Sequence, residues 1–202
     1  MKTSHAFRVA LMAMVAAGVT GGARAESAGG VVAATPVSEP VPALKLPDFK
    51  TASVADLSAL ASQALSGLGQ VAGSAPGLLE KVNAVKSALG AGQASQALTA
   101  LAGLGAAAKN IPGAAALADT ATQVVSAWAL KQGFDAAKIS GVLGALQKKD
   151  LSALTSKATG LLSKGEVTAD QQGLLKGVLN AYGIDASKAA GAAGALKGIF
   201  GN

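Results

Sequence analysis

The chain has 202 residues, half of them hydrophobic, 14% charged and 3% aromatic; 48 are Ala and 26 are Gly. That much apolar content excludes a chain disordered throughout, and the length suits one domain with a tail. Cys is absent, which excludes disulfide scaffolds, thiol nucleophiles and anchoring through an acylated cysteine.

Residues 1–25 have the layout of a secretory signal peptide. Lys2 and Arg8 give a basic start, residues 9–19 an apolar run, and Ala23-Arg24-Ala25 a small-x-small cleavage site ahead of Glu26. The run has 11 residues, against the ~20 that a membrane-spanning helix needs. Cleavage after Ala25 is therefore expected rather than an uncleaved anchor, and the destination is the bacterial periplasm or beyond. It would remove Lys2, Arg8, Arg24 and His5 but no acid, taking the formal charge from +6 to +3. The mature chain then has 14 Lys and no Arg, His or Cys.

Those absences narrow the chemistry. Zinc and copper sites call for imidazole or thiolate ligands, and a Ser-His-Asp site calls for an imidazole base. Bidentate clamping of phosphate or carboxylate needs a guanidinium. No cofactor, metal or catalytic residue is expected. A pI near 9.7 suggests nucleic acid at first sight, but a mature charge of +3 is a weak field. The lysines are dispersed, Lys148-Lys149 being the one adjacent pair. They read as solvated helix faces, and no nucleic-acid partner is expected.

Residues 26–50 hold Gly29-Gly30 and the prolines Pro36, Pro40, Pro42 and Pro47. Proline removes a backbone donor and biases its neighbour to extended geometry. This segment reads as a flexible or extended linker, with a helical domain over 51–202. From Ser53 the apolar residues recur at steps of three and four, as in Leu57, Leu60, Ala64 and Leu68 or Leu117, Ala121, Val124 and Trp128. Helices are expected near 54–72, 76–89, 93–108, 113–132, 136–148, 151–164, 169–182 and 186–200. Gly90, Gly133, Gly165 and Gly183 stand where helices should stop. The fold class is all-α, either a multi-helix bundle or a short repeat array.

The array reading comes from self-similarity. Gly133–Gln147 matches Gly183–Lys197 at eight of 15 positions, and Asp56–Ala64 matches Asp150–Ala158 closely. Degenerate units of about 45–50 residues would give this pattern. Asp135 and Asp185 then each open a helix, where a carboxylate caps free N–H groups and meets the positive end of the helix dipole. A catalytic carboxylate pair explains neither the spacing nor the following Lys138 and Lys188. Thr168 with Gln171 fits a capping box. Gly141, Gly144, Gly160, Gly173, Gly177, Gly191, Gly194 and Gly198 fall inside helical patterns, where bare backbone lets two helix axes approach. Trp128 and Tyr182 fall on core stripes.

Three functions remain. The first is an exported, non-enzymatic helical protein acting as a structural, interaction or small-ligand-binding module, its partner a protein or envelope component and its oligomeric state open. The alternative is a membrane-active or membrane-surface-associated helical protein, suggested by the tail A-G-A-L-K-G-I-F-G-N. An enzyme would have to work with Asp, Glu, Lys, Ser, Thr and one Tyr.

Overall fold

A computed structural model describes residues 44–186 apart from 164 and 166. The expected signal peptide with Ala23, Ala25 and Glu26, most of the Pro-rich lead, and nearly all of the helix expected over 186–200 lie outside the described residues. Within them the chain is all-α, with no strand.

Helix α1 (Val54–Val71) starts at a capping box. Ser53 Oγ accepts the Asp56 N–H at 3.1 Å, and the Asp56 carboxylate accepts the Ser53 hydroxyl at 2.6 Å and its N–H at 3.1 Å. These bonds, the hydroxyl first, hold the Asp56 carboxyl below its ordinary 3.8. A 3-10 turn (Ala72–Ser74) leads to α2 (Pro76–Gly90), which has proline in its first turn, where no N–H is needed. The helix expected over 93–108 is corrected to two, α3 (Ala94–Leu101) and α4 (Leu104–Ala108). Ala102 turns extended and Gly103 takes φ 79°, a left-handed geometry open to glycine at no steric cost. Then come α5 (Ala114–Gly133), α6 (Ala136–Gln147), α7 (Leu151–Ser163) and α8 (Ala169–Ala181).

Three helix ends share one terminator. Gly92, Lys149 and Gly183 have φ of 68°, 54° and 72°. The next N–H in each case returns to a carbonyl five residues back: Gln93 to Ala88, Asp150 to Ala145 and Ile184 to Leu179. This is the Schellman arrangement. At α2 the left-handed residue is Gly92, two places beyond the expected Gly90. Gly133 is the last residue of α5, and Phe134 leaves it extended. At α6 a lysine occupies the position that favours glycine.

Helix α5 is the centre of the fold. Buried residues run around most of its circumference, and α1, α3, α4, α6 and α8 pack on it. Trp128 sits in this core at 2% exposure, with Leu65, Leu68, Leu98, Leu104, Leu130 and Leu143 also buried. Helix α2 lies on α1 and α3, and α7 on α6 and α8. Two polar side chains of α5 are used inside: Thr122 donates to the Ala118 carbonyl and Gln123 Nε2 to the Leu146 carbonyl, both at 2.7 Å.

The lead joins the core earlier than the expected boundary at residue 51. Phe49 is fully buried, and Leu44 and Leu46 pack against the same cluster. The Phe49 N–H donates to Gln147 Oε1 at 3.2 Å, while Gln147 Nε2 donates to the Pro47 carbonyl at 3.1 Å. Lys131 Nζ donates to the carbonyls of Lys50 and Ala52. An aromatic anchor and two long polar side chains thus fasten a segment that composition alone marks as linker.

The glycines serve different ends. A Cβ on Gly177 would lie 3.1 Å from Cβ and Cδ1 of Leu98, so there α8 does approach α3 closely. On Gly141 and Gly144 a Cβ would meet lysine stems, Lys157 and Lys50 respectively, each at 3.4 Å. Gly160 and Gly173 face open space, so close helix approach does not account for them.

The matched segments Asp56–Ala64 and Asp150–Ala158 begin their helices in different registers. Asp56 lies inside the first turn of α1, whereas Asp150 precedes α7 and accepts the Ala153 N–H at 2.9 Å. Leu57 is buried, and its counterpart Leu151 is 45% exposed.

Candidate functional site

Of the expected caps, Asp135 and Thr168 lie at described helix starts. Asp135 precedes α6 and accepts the Ala137 N–H at 3.0 Å. Thr168 precedes α8; its Oγ1 accepts the Gln171 N–H at 3.3 Å, and Gln171 Oε1 accepts the Thr168 N–H at 3.0 Å. Gln171 Nε2 also donates to the Gly133 carbonyl at 2.8 Å, tying α8 to the end of α5. Asp185 is described immediately before Ala186, while Lys188 lies outside the described residues. Asp135 and Thr168 are spent on backbone groups of their own helices.

The candidate surface is a shallow groove of about 270 Å³ between α6 and α7, lined by Lys138, Gly141, Val142, Ser156, Lys157, Gly160 and Leu161. Lys138 lies in the first turn of α6, and Lys157 reaches across from α7 with its stem over Gly141. Gly160 leaves the α7 wall low, and Val142 and Leu161 supply an apolar floor. One turn further along α6, the Lys50 side chain from the lead crosses Gly144. Gly144 lies one turn beyond Gly141 and is rotated about 120° from Lys138 around α6, so Lys50 stands beside the groove and not in its lining. The fold therefore brings lysines from separate segments to α6, Lys138 and Lys157 at the groove and Lys50 beside it.

Carboxylates near that row are already engaged. Asp48 accepts the Lys50 N–H at 2.9 Å, and Asp135 caps α6. Among the described residues the ion pair is Lys149–Asp119, at 3.7 Å between two largely exposed side chains. Lys138 and Asp135 form no ion pair. Sequence reading missed this row because its members come from three separate segments; the local signal was a glycine facing each incoming lysine stem.

A second depression, about 430 Å³ and more open, is lined by Lys45, Pro47, Asp56, Ala59, Leu60 and Gln63. Its acid, Asp56, is held in the α1 capping box. Tyr182 is largely buried, with its hydroxyl lacking a hydrogen-bond partner. Burial, with the Asp119 carboxylate adding repulsion, pushes its phenol well above the ordinary 10.0. Among the described residues no three acids converge to hold a metal ion, and no helix is long and apolar enough to cross a membrane. The chain matches no protein-family model, no curated protein and no solved structure.

Proposed function

We propose that the chain is exported, loses residues 1–25, and works in the bacterial envelope as a non-enzymatic helical binding module whose contact face is the α6–α7 hairpin. The observation behind this reading is the basic groove: Lys138 and Lys157 both line it, the Lys157 stem over Gly141, with no carboxylate of the described residues paired to either. The rest of the scaffold serves to hold that face. Helix α5 fixes α6 from below through Gln123 and the Leu146 carbonyl, and the strap at Phe49 braces the end of α6 through Gln147. Ligand-binding surfaces commonly lie between neighbouring helices of such folds.

Export is tested by expressing the full chain in a bacterium, releasing the periplasm by osmotic shock and sequencing the N-terminus. A chain beginning at Glu26 in the periplasmic or secreted fraction supports the reading. A chain beginning at Met1 in the cytoplasm overturns it. Co-sedimentation with anionic vesicles addresses the membrane-surface alternative: strong sedimentation would replace the module reading with that one.

A further inference from the structure

We infer that the α6–α7 groove is a binding site for a small organic anion, a carboxylate or phosphate monoester with a short apolar body. The inference rests on the binding-module reading and names the ligand class. The charged head lies between the ammonium groups of Lys138 and Lys157, with the Ser156 hydroxyl as a third donor. The apolar body lies on Val142 and Leu161. Every side-chain donor in this groove can face an anion, and the lining contains no carboxylate to repel it.

Charge complementarity selects the head group. Lys138 and Lys157 reach the groove from α6 and α7, and two like charges on one lining favour a counter-anion. Asp48, Asp135 and Asp150 accept backbone N–H groups and keep their charge, but none of them lines the groove. Size selects the body. About 270 Å³ lies just under the range of drug-sized pockets, roughly 300–1,000 Å³. The groove is also shallow, which points to a modest Kd on the order of 1 mM for a minimal probe. Glycine at 141 and 160 follows from the same reading. A side chain at 141 would displace the Lys157 stem, and one at 160 would fill the space meant for ligand.

The purified chain is titrated with hexanoate, hexyl phosphate and the neutral hexanamide, with backbone amide shifts followed by NMR. Both anions are expected to shift residues 138–142 and 156–161, and hexanamide to bind roughly tenfold more weakly, the loss of one charge-assisted contact. Tighter hexyl phosphate assigns the site to phosphate monoesters, and tighter hexanoate to carboxylates. Lys157→Gln should weaken both anions about tenfold. Gly160→Leu should block them, with an unchanged helical circular dichroism spectrum showing that the variant folds; a Cβ at this position meets nothing within 4 Å. Equal response to hexanamide, or shifts that appear only with phosphatidylglycerol vesicles, overturns the inference. So does the absence of any shift. Those results leave the export reading intact, since the N-terminal sequence of the fractionated chain decides that separately.

Discussion

Helices α5 and α7 are both rich in small residues, yet they live in different surroundings. Of the 20 residues of α5, 13 are buried; of the 13 in α7, only Leu154, Ala158 and Thr159 are. A polar side chain therefore means different things in the two. On α5, the Thr122 hydroxyl and the Gln123 amide nitrogen donate to backbone carbonyls inside the core, while Gln123 Oε1 and the Ser126 hydroxyl are buried without a partner. On α7, Ser156 and Lys157 keep their donors at the surface, where a ligand can meet them. The difference teaches that a central helix spends its small residues on close packing on all sides, whereas an outer one packs along a single stripe and leaves the rest open.

The largest effect is expected where the lead plugs the side of α5 and α6. Phe49→Ala removes a fully buried ring and should cost about 3–5 kcal/mol. Urea unfolding followed by the fluorescence of Trp128, the single tryptophan, measures it. A loss below about 1 kcal/mol would show that the strap is peripheral and that the core is α5-centred without it.

That anchor also marks the limit of what the sequence reveals. The all-α class and most helix spans are legible because leucine and valine recur with helical spacing and because Pro76, Thr168 and Asp135 punctuate the starts. The 102–103 break is hidden because Ala102 has high helix propensity and Gly103 resembles the other helical glycines. The strap is hidden because Phe49 and Gln147 are nearly 100 residues apart, and only the fold brings them together. The same holds for the groove: Lys138 and Lys157 look dispersed along the chain, and the α6–α7 turn sets both on one lining.

Tyr182 offers the next test, since it probes a polar group buried against α5 without the partner that Gln123 has. Its folded pKa is raised, so its contribution to stability is intact below the ordinary 10.0 and is lost as pH rises past it. The unfolded phenol ionises there while the folded one stays neutral. Stability should fall by up to about 1.4 kcal/mol for each pH unit above that point. As the chain has one Tyr, absorbance at 295 nm reports this group alone. Phenolate should appear only with unfolding. Tyr182→Phe should abolish this part of the pH dependence and leave neutral-pH stability equal or higher, because the hydroxyl it removes has no partner. Phenolate forming near pH 10 in the folded chain would refute the burial.

A smaller pair of effects compares one substitution on two helices. Gly160→Ala in α7 meets nothing and should stabilise the chain by about 1 kcal/mol through helix propensity. Gly177→Ala in α8 puts a methyl 3.1 Å from Leu98 Cβ, an atom fixed to the α3 backbone. Overpacking of this kind costs about 1–3 kcal/mol, which exceeds the gain. Thermal unfolding of the two variants should therefore shift in opposite directions. Shifts of the same sign would erase the distinction between a helix that packs closely and one that stands open.

The smallest effect concerns the turn that aims α7. Lys149 is the one non-glycine residue with positive φ among those described, at 54°, whereas α2 and α8 place glycine at the equivalent point. Left-handed geometry costs a side-chain-bearing residue roughly 1–2 kcal/mol. Replacing Lys149 by Gly removes that strain but adds freedom to the unfolded chain, worth about 0.5–1 kcal/mol. It also removes the pair with Asp119, which is largely exposed and worth little. The net expectation is a gain of about 0.5 kcal/mol by urea denaturation. Lys149→Ala separates these terms, since it loses the pair and keeps the strain; it should be slightly destabilising. If the glycine variant were no more stable than the alanine one, the lysine would not be strained there. The α6–α7 turn would then be held by the Asp150 N–H to Ala145 carbonyl bond and the α7 cap alone.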